Sequence, residues 1–148
     1  MRTRIYNARI LTMEEGRQIF KGEIQIEDGQ ISCVKPCDGA EDINKGIWDK
    51  EINAQGNLIM PGFKDAHTHS PMTFLRSYAD DMKLQEWLFD KVFPAEARLT
   101  EDDIYWLTKL AIMEYLTSGI TSSFDMYKLK HETARASEEM GFRMVLCG

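Results

Sequence analysis

The stretch Asn57–Met72, NLIMPGFKDAHTHSPM, decides the fold because an apolar run leads directly into a polar cluster with two histidines. A turn at residues 55–57 is predicted to lead into this strand, so the apolar run at Leu58 is expected to belong to the strand that carries the histidines. In an extended strand, side chains two residues apart lie on the same face. Asp65, His67 and His69 are therefore expected to project in the same direction. Two neighbouring imidazoles can hold one divalent cation, and their neutral nitrogens suit zinc or iron. An isolated His-x-His can be an ordinary polar strand end, but the context Pro-Gly-x-x-Asp-x-His-x-His-x-Pro-Met favours a metal site.

The segments PGFKDAHTHSPMTFLR (61–76) and EWLFDKVFPAEARLT (86–100) resemble the start of an amidohydrolase-superfamily enzyme. The similarity extends over essentially the whole chain and is greatest to the 5′-methylthioadenosine/S-adenosylhomocysteine deaminase group. The Asp-x-His-x-His motif is specific for the superfamily, whereas the following forty residues only suggest the subgroup. The resemblance implies an α/β fold with a small β-sandwich beside a (β/α)8 metallo-dependent hydrolase barrel. It also implies one zinc (or iron) ion per complete site, held by His67, His69, a later His and a later Asp.

The length of 148 residues is too short for a complete barrel, which typically needs ~250 residues. We expect residues 1–56 to form a β-rich leader, a partial β-sandwich. Residues 57–148 are expected to form the first two to three βα units of a truncated TIM-type barrel. The later metal ligands and a general acid/base are absent, so no catalytic residue is identifiable in this chain. Such a chain is expected to be inactive alone and to need a C-terminal half, or to self-associate through exposed strand edges.

Composition excludes several classes of protein. The net charge of −6 argues against sequence-independent nucleic-acid binding, which relies on clustered Lys and Arg. The sequence has no apolar run of 18 residues, so no membrane-spanning helix is expected. The three cysteines are an odd number and form no disulfide framework, which favours a reducing cytoplasm. Cys33 and Cys37 lack the second ligand cluster that a zinc site needs.

The leader shows alternating apolar patterns that are typical of strands. Residues 4–12 (RIYNARILT) alternate and predict a half-buried strand. Residues 22–34 predict a hairpin, because Asp28-Gly29 between two alternating runs favours a type I′ turn. The other predictions for the leader are an irregular loop over 36–45 and a weaker strand over 47–52.

The second part alternates helical and strand patterns. Residues 70–81 have no clear period and are predicted to be a βα loop, the kind of segment that forms the active-site rim in TIM barrels. Residues 83–92 have helical spacing, and Pro94 is expected to end that helix. Thr100 and Asp103 predict a capping box for the next helix, which Gly119 can terminate. The remaining predictions are a strand over 120–126, a helix over 132–140 and a strand over 142–147.

Two residues of this part are candidate substrate contacts. Trp87 can be a packing residue of its helix, or an apolar wall for a flat purine or its sulfur substituent. Without the resemblance, Glu96 would be interpreted as a solvated charge paired with Arg98. The resemblance implies instead that Glu96 accepts hydrogen bonds from the ribose hydroxyls of an adenine nucleoside, a task that suits a carboxylate with two acceptor oxygens. Asp125 is interpreted as a structural or rim residue. His131 is interpreted as a surface or capping residue.

The resemblance implies hydrolytic deamination of a purine nucleoside-type substrate, that is, hydrolysis of a C–N bond other than a peptide bond. Two alternatives remain open at this point. An amidohydrolase could act on another ring, such as guanine, cytosine or a triazine. The chain could also be a non-enzymatic fragment that self-associates and uses the histidine pair structurally or not at all.

Overall fold

The computed structural model describes residues 1–37 and 46–147, and the chain divides into two compact units, Met1–Pro61 and Gly62–Gly148. Most of the loop predicted over 36–45 lies outside the described residues. Within those residues, no helix is both long and apolar enough to cross a membrane.

The described part of the first unit contains five strands: β1 (Arg2–Ile10), β2 (Phe20–Glu27), β3 (Gln30–Pro36), β4 (Lys50–Asn53) and β5 (Leu58–Ile59). Strand β1 pairs antiparallel with β2, and β2 pairs antiparallel with β3. Strands β4 and β5 both run parallel to β1. The β-rich character expected for the leader is therefore present.

The hairpin between β2 and β3 is confirmed. Asp28 and Gly29 form its turn with φ values of 49° and 82°. A type I′ turn requires positive φ at both central positions, and Asp and Gly are among the residues that tolerate it. Glu27 lies opposite Gln30 across the turn, so the register is the one that the sequence predicts.

The predicted half-buried strand is also confirmed, although its alternation is interrupted. Ala8 and Ile10 are each 2% exposed and pack with Ile24 in the core of this sheet. The register against β2 shifts between Ile5 and Ala8, a β-bulge at which Asn7 has a φ of 54°. A bulge inserts an extra residue and locally changes which side chains face the core.

A charged pair is buried in the same sheet. Glu23 is fully buried, and its Oε2 accepts hydrogen bonds from Nε and Nη2 of Arg4 at 2.8 and 2.5 Å. Its Oε1 accepts from Gln25 at 2.8 Å and lies 3.4 Å from Nζ of Lys35. Burial acts to raise the pKa of Glu23, but the bonds from Gln25 and Arg4 outweigh it, so the pKa is below its usual value. Arg4 also contacts the half-exposed Glu51 at 3.3 Å.

Two strand predictions for the end of this unit need correction. The weaker strand predicted over 47–52 is β4, which begins later, at Lys50. Leu58 and Ile59 do not belong to the strand with the histidines. They form a separate strand because the carbonyls of Asn57 and Ile59 accept hydrogen bonds from the backbone N–H groups of Arg9 and Leu11.

In the described part of the second unit, residues 62–147, three parallel strands alternate with helices, the arrangement of βαβ units. The strands are β6 (Phe63–Thr68), β7 (Ile120–Asp125) and β8 (Arg143–Leu146), paired in that order. The helical elements are a 3-10 turn (Ser70–Leu75), α1 (Leu84–Glu86), a π-helical turn (Trp87–Val92), α2 (Phe93–Glu96), α3 (Glu101–Thr117) and α4 (Lys130–Glu139). The strands and helix predicted after residue 119 are confirmed to within about two residues.

Helix α3 begins with the predicted capping box. The Thr100 hydroxyl accepts from the backbone N–H of Asp103 at 3.2 Å, and the Asp103 carboxylate accepts from that of Thr100 at 2.8 Å. Ile104 and Ala111 on its inner face are buried, at 0% and 2% exposure. Gly119 follows the helix with a φ of 79°, as the prediction of a left-handed terminating residue requires.

The prediction that Pro94 ends the preceding helix is wrong. The chain stays helical through α2, with Pro94 in its first turn. The π-helical turn before it bonds the N–H of Phe93 to the carbonyl of Leu88, five residues back. A proline in the first turn of a helix loses no bond that the helix needs. The predicted loop after His69 likewise contains regular structure, the 3-10 turn Ser70–Leu75.

Candidate metal centre and substrate cleft

The two histidines lie at the carboxyl end of β6. His67 belongs to the strand and His69 follows its last residue. The centres of the two rings are 4.9 Å apart, and their planes are inclined by 78°. The strand thus brings two imidazoles close together at one end of the parallel sheet.

A backbone carbonyl fixes the orientation of His69. Nδ1 of its ring lies 2.5 Å from the carbonyl oxygen of Met126, just beyond β7. A carbonyl oxygen can only accept a hydrogen bond, so Nδ1 must carry the proton. In the neutral ring the lone pair is then on Nε2, which is the atom available to a metal ion. Metal-binding histidines are commonly oriented in this way by an outer partner.

No third His, Cys, Asp or Glu within the described ranges 1–37 and 46–147 completes a metal-binding group with this pair. The Asp65 carboxylate accepts a hydrogen bond from the backbone N–H of His67 at 3.2 Å. His131 lies exposed in the first turn of α4, in agreement with its interpretation as a surface residue. Catalytic zinc usually has three protein ligands. The two imidazoles fit part of such a ligand set.

A buried polar network supports the end of β6. Asp125 is 1% exposed and accepts hydrogen bonds from both the backbone N–H (2.8 Å) and the hydroxyl of Ser70. The Tyr115 hydroxyl lies 2.6 Å from Oγ1 of Thr68 and 3.0 Å from Oγ of Ser70, and burial raises its pKa. These bonds hold the residues on both sides of His69, which supports a structural role for Asp125.

Replacing Asp125 by alanine is expected to lower the free energy of unfolding by roughly 1–3 kcal/mol, because the buried N–H of Ser70 loses its acceptor. Asp125→Asn is the matched control, since its amide oxygen can still accept from that N–H, and its loss should be smaller. Urea denaturation of both variants measures the difference. Equal losses would show that the negative charge, and not the acceptor geometry, is what Asp125 contributes.

Trp87 and His69 line the same cleft. The cleft has a volume of about 380 Å³ and includes Thr68, Met72 and Tyr115 in its walls. The indole is half-buried in the π-helical turn. An apolar, flat side chain in the same cleft as His69 is compatible with both interpretations of Trp87, packing and substrate wall.

Glu96 is not a fully solvated charge. It is half-buried at the end of α2, and its Oε1 accepts a hydrogen bond from the Tyr127 hydroxyl at 2.7 Å. The Tyr127 ring centre lies 6.4 Å from that of His69, so the Tyr127 side chain links Glu96 to the neighbourhood of His69. Burial, and then the neighbouring Glu96 carboxylate, raise the pKa of Tyr127, which therefore stays a hydrogen-bond donor. Sequence reasoning missed Tyr127. Its position just after a parallel strand was the available signal.

Comparison with known proteins gives consistent matches. The model of the amidohydrolase family matches residues 58–148. A 5-methylthioadenosine/S-adenosylhomocysteine deaminase of Desulforamulus reducens is 46% identical over 145 residues, covering 96% of this chain and 33% of the relative. A 5′-deoxyadenosine deaminase of Methanosarcina mazei is 44% identical, with coverages of 96% and 32%. The crystal structure of an adenosine deaminase from Xanthomonas campestris with bound zinc has a TM-score of 0.88 at 29% identity, covering 96% of this chain and 32% of that one.

The chain spans about a third of the length of the curated relatives that it matches. The resemblance drawn from the histidine motif and the deaminase-like segment is confirmed, and so is the α/β fold class, a leader sheet followed by the first strand–helix units of the hydrolase fold. Because the family model matches well over half of its residues, the chain belongs to the amidohydrolase family.

Proposed function

We propose that this chain is the N-terminal part of a metal-dependent amidohydrolase that hydrolytically deaminates an adenine nucleoside, similar to methylthioadenosine or S-adenosylhomocysteine. The proposal is supported by the 4.9 Å spacing of the two imidazole rings, by the cleft that His69 shares with Trp87, and by Tyr127, which bonds Glu96 and lies 6.4 Å from the His69 ring. Relatives more than 40% identical over nearly the whole chain are named as deaminases of adenine nucleosides, which favours this ring over guanine, cytosine or a triazine.

His67 and His69 would hold one divalent ion, zinc or iron, together with ligands from a C-terminal part. The zinc in the Xanthomonas campestris structure supports a metal in this family. When bound, such an ion supplies an acidified water, because the metal lowers the pKa of the water toward about 7. The carbonyl of Met126 prepares the site by keeping the proton on Nδ1 of His69.

The other side chains would bind and orient the nucleoside. Trp87 offers a flat apolar surface at the edge of the cleft, which suits a purine or a thioether substituent. The Glu96 carboxylate can accept from two neighbouring sugar hydroxyls, because each of its oxygens has two acceptor positions. Neither residue transfers a proton to the ring, and the general acid/base is assigned to the C-terminal part.

We infer that a partner completes the parallel sheet of the second unit. Strands β6 and β8 each pair on one side only within the described residues, so a completing partner must supply further strands. We assign that role to a C-terminal half and not to a second copy, since the curated relatives are about three times as long.

We also propose a cytoplasmic location. The three cysteines are an odd number with no disulfide framework, which suits a reducing compartment.

A fusion tests the proposed function directly. Residues 1–148 are joined to the part of the Desulforamulus reducens relative that follows the matched region, giving a protein that we call the fused enzyme. We expect the fused enzyme to retain zinc and to convert 5′-methylthioadenosine to its inosine analogue. The 148-residue chain alone should bind zinc weakly and show no turnover. The change in ultraviolet absorbance as the adenine ring is deaminated measures the reaction, and elemental mass spectrometry measures the zinc content.

The C-terminal part of the relative, expressed without this chain, is the control and should be inactive. Guanine, cytosine and a triazine are tested in parallel. Preferential activity on one of them would show that this ring, and not an adenine nucleoside, is the substrate. Turnover by the isolated 148-residue chain at the rate of the fused enzyme would contradict the proposal. A stable, metal-free oligomer of the chain, unaffected by His67→Ala, would favour a non-enzymatic fragment.

A further inference from the structure

Three consecutive residues after β7 contact the two parts of the candidate site. Met126 accepts the hydrogen bond from Nδ1 of His69 through its carbonyl. Tyr127 donates its hydroxyl to Oε1 of Glu96. Lys128 donates from Nζ to the backbone carbonyl of Glu96. This segment, which we call the 126–128 brace, links a proposed metal ligand to a proposed sugar contact.

The brace acts on both the backbone and the side chain of Glu96. The bond from Lys128 holds the end of α2, while the bond from Tyr127 fixes the carboxylate itself. A glutamate side chain otherwise has several accessible rotamers, and ordering it opposes binding. The Tyr127 ring is also near the His69 ring, with centres 6.4 Å apart, so it sets the spacing between Glu96 and the histidine pair.

The geometry leaves Glu96 able to bind a ligand. The Tyr127 hydroxyl occupies one acceptor position on Oε1, and a carboxylate has about four. A neutral phenol donor orients the carboxylate without neutralising its charge, which a lysine or arginine partner would do. The charge then remains available for hydroxyl donors, which form stronger hydrogen bonds to an ionised acceptor.

We propose that Tyr127 is a positioning residue that presents the Glu96 carboxylate to the 2′- and 3′-hydroxyls of the nucleoside, and so sets the preference for ribosides. The proposal rests on the proposed function, because it assigns the sugar to Glu96. In this proposal Tyr127 does not touch the reacting ring and acts only through Glu96. Its effect should therefore appear in binding of the sugar and not in the chemical step.

The test replaces Tyr127 by phenylalanine in the fused enzyme. The KM for 5′-methylthioadenosine is expected to rise by up to roughly 10-fold, because the Glu96 side chain must then be ordered when the sugar binds. The kcat should change less than about two-fold, because uniform binding energy is lost. For 2′,3′-dideoxyadenosine, which lacks both hydroxyls, the KM should not change. Equilibrium binding of inosine and 2′,3′-dideoxyinosine measures the same preference for a riboside over its dideoxy analogue, independently of turnover.

Two further variants make the test specific. Tyr105→Phe removes another tyrosine–glutamate hydrogen bond, that of Tyr105 to Glu139 at 2.5 Å, and should leave the riboside preference unchanged. In a Glu96→Ala background, Tyr127→Phe should have no further effect on the KM, because a residue that acts only through Glu96 has nothing left to orient.

The outcomes separate the two proposals. Equal changes for the riboside and the dideoxy analogue, or no change for either, would overturn the role of Tyr127 while leaving the deaminase intact. A full additional effect of Tyr127→Phe in the Glu96→Ala background would also overturn it. If the unsubstituted fused enzyme neither binds nor deaminates any nucleoside, the proposed function fails, and the role of Tyr127 fails with it.

Discussion

Replacing His69 by alanine is expected to remove the metal and the activity of the fused enzyme together. The imidazole is one of two proposed ligands from this chain, and its Nε2 is the atom that the Met126 carbonyl leaves available. Loss of an outer-shell partner alone typically costs 10–100-fold in metal affinity, so loss of the ligand itself should cost more than about 100-fold. Zinc content and the rate of deamination measure the two effects, and His67→Ala should behave in the same way.

His131→Ala is the matched control, because this third histidine is exposed on α4 and should affect neither measurement. Added zinc should not restore His69→Ala at concentrations that saturate the unsubstituted protein. If His69→Ala keeps its zinc and loses only its stability, the ring packs against its neighbours without binding a metal. The deaminase proposal would then lose its main support.

Glu23→Gln is expected to destabilise the first unit by about 3 kcal/mol. Removing one partner of a buried ion pair typically costs 3–5 kcal/mol because the other charge stays buried without compensation. We expect the lower end, since Arg4 keeps its contact with Glu51 at 3.3 Å. Hydrogen exchange of the backbone amides in β1 and β2 reports on this unit separately from the second. Glu51→Gln, at a half-exposed site, should cost less than about 1 kcal/mol.

The contribution of Glu23 should also depend on pH. Its pKa in the folded protein is lower than the usual value of 4.5, so the folded state favours the ionised form. The corresponding stability is present above the unfolded pKa and is lost as the pH falls through the folded pKa. As the pH falls, the stability of the first unit, measured by hydrogen exchange relative to the intrinsic exchange rate, should therefore decrease more in the unsubstituted protein than in Glu23→Gln. The variant has no carboxyl group at this position to protonate. Identical acid profiles would show that Arg4 does not stabilise the ionised carboxylate.

Local chemistry made several elements predictable from the sequence. Asp28-Gly29 specifies its turn through backbone conformation alone, and Thr100 with Asp103 caps a helix through bonds within four residues. The apolar run at Leu58 could not be assigned in the same way. Its strand partner is Arg9–Ile10, almost fifty residues earlier, and only pairing decides to which sheet it belongs. The effect of Pro94 does not follow from the sequence, because it depends on the π-helical turn that precedes it and on its place in the first turn of α2.

In the candidate site, too, contacts within one strand could be predicted from the sequence, whereas contacts between distant segments could not. His67 and His69 are two residues apart on one strand, so their proximity follows from strand geometry. Tyr127 meets Glu96 across 31 residues, and nothing local in either segment indicates the contact. The carbonyl of Met126 could not have been identified from sequence either, because every residue carries one.

The π-helical turn Trp87–Val92 separates the two proposed substrate contacts along the chain. A π-helical turn behaves as an ordinary helix with one additional residue. Deleting one codon within the turn would therefore remove the extra residue and restore regular winding, while the residues on either side keep nearly their present directions. Trp87, which begins the turn, and Glu96, which follows it, would both be retained. One short deletion would thus separate the effect of the wide turn itself from the effect of the two proposed contacts.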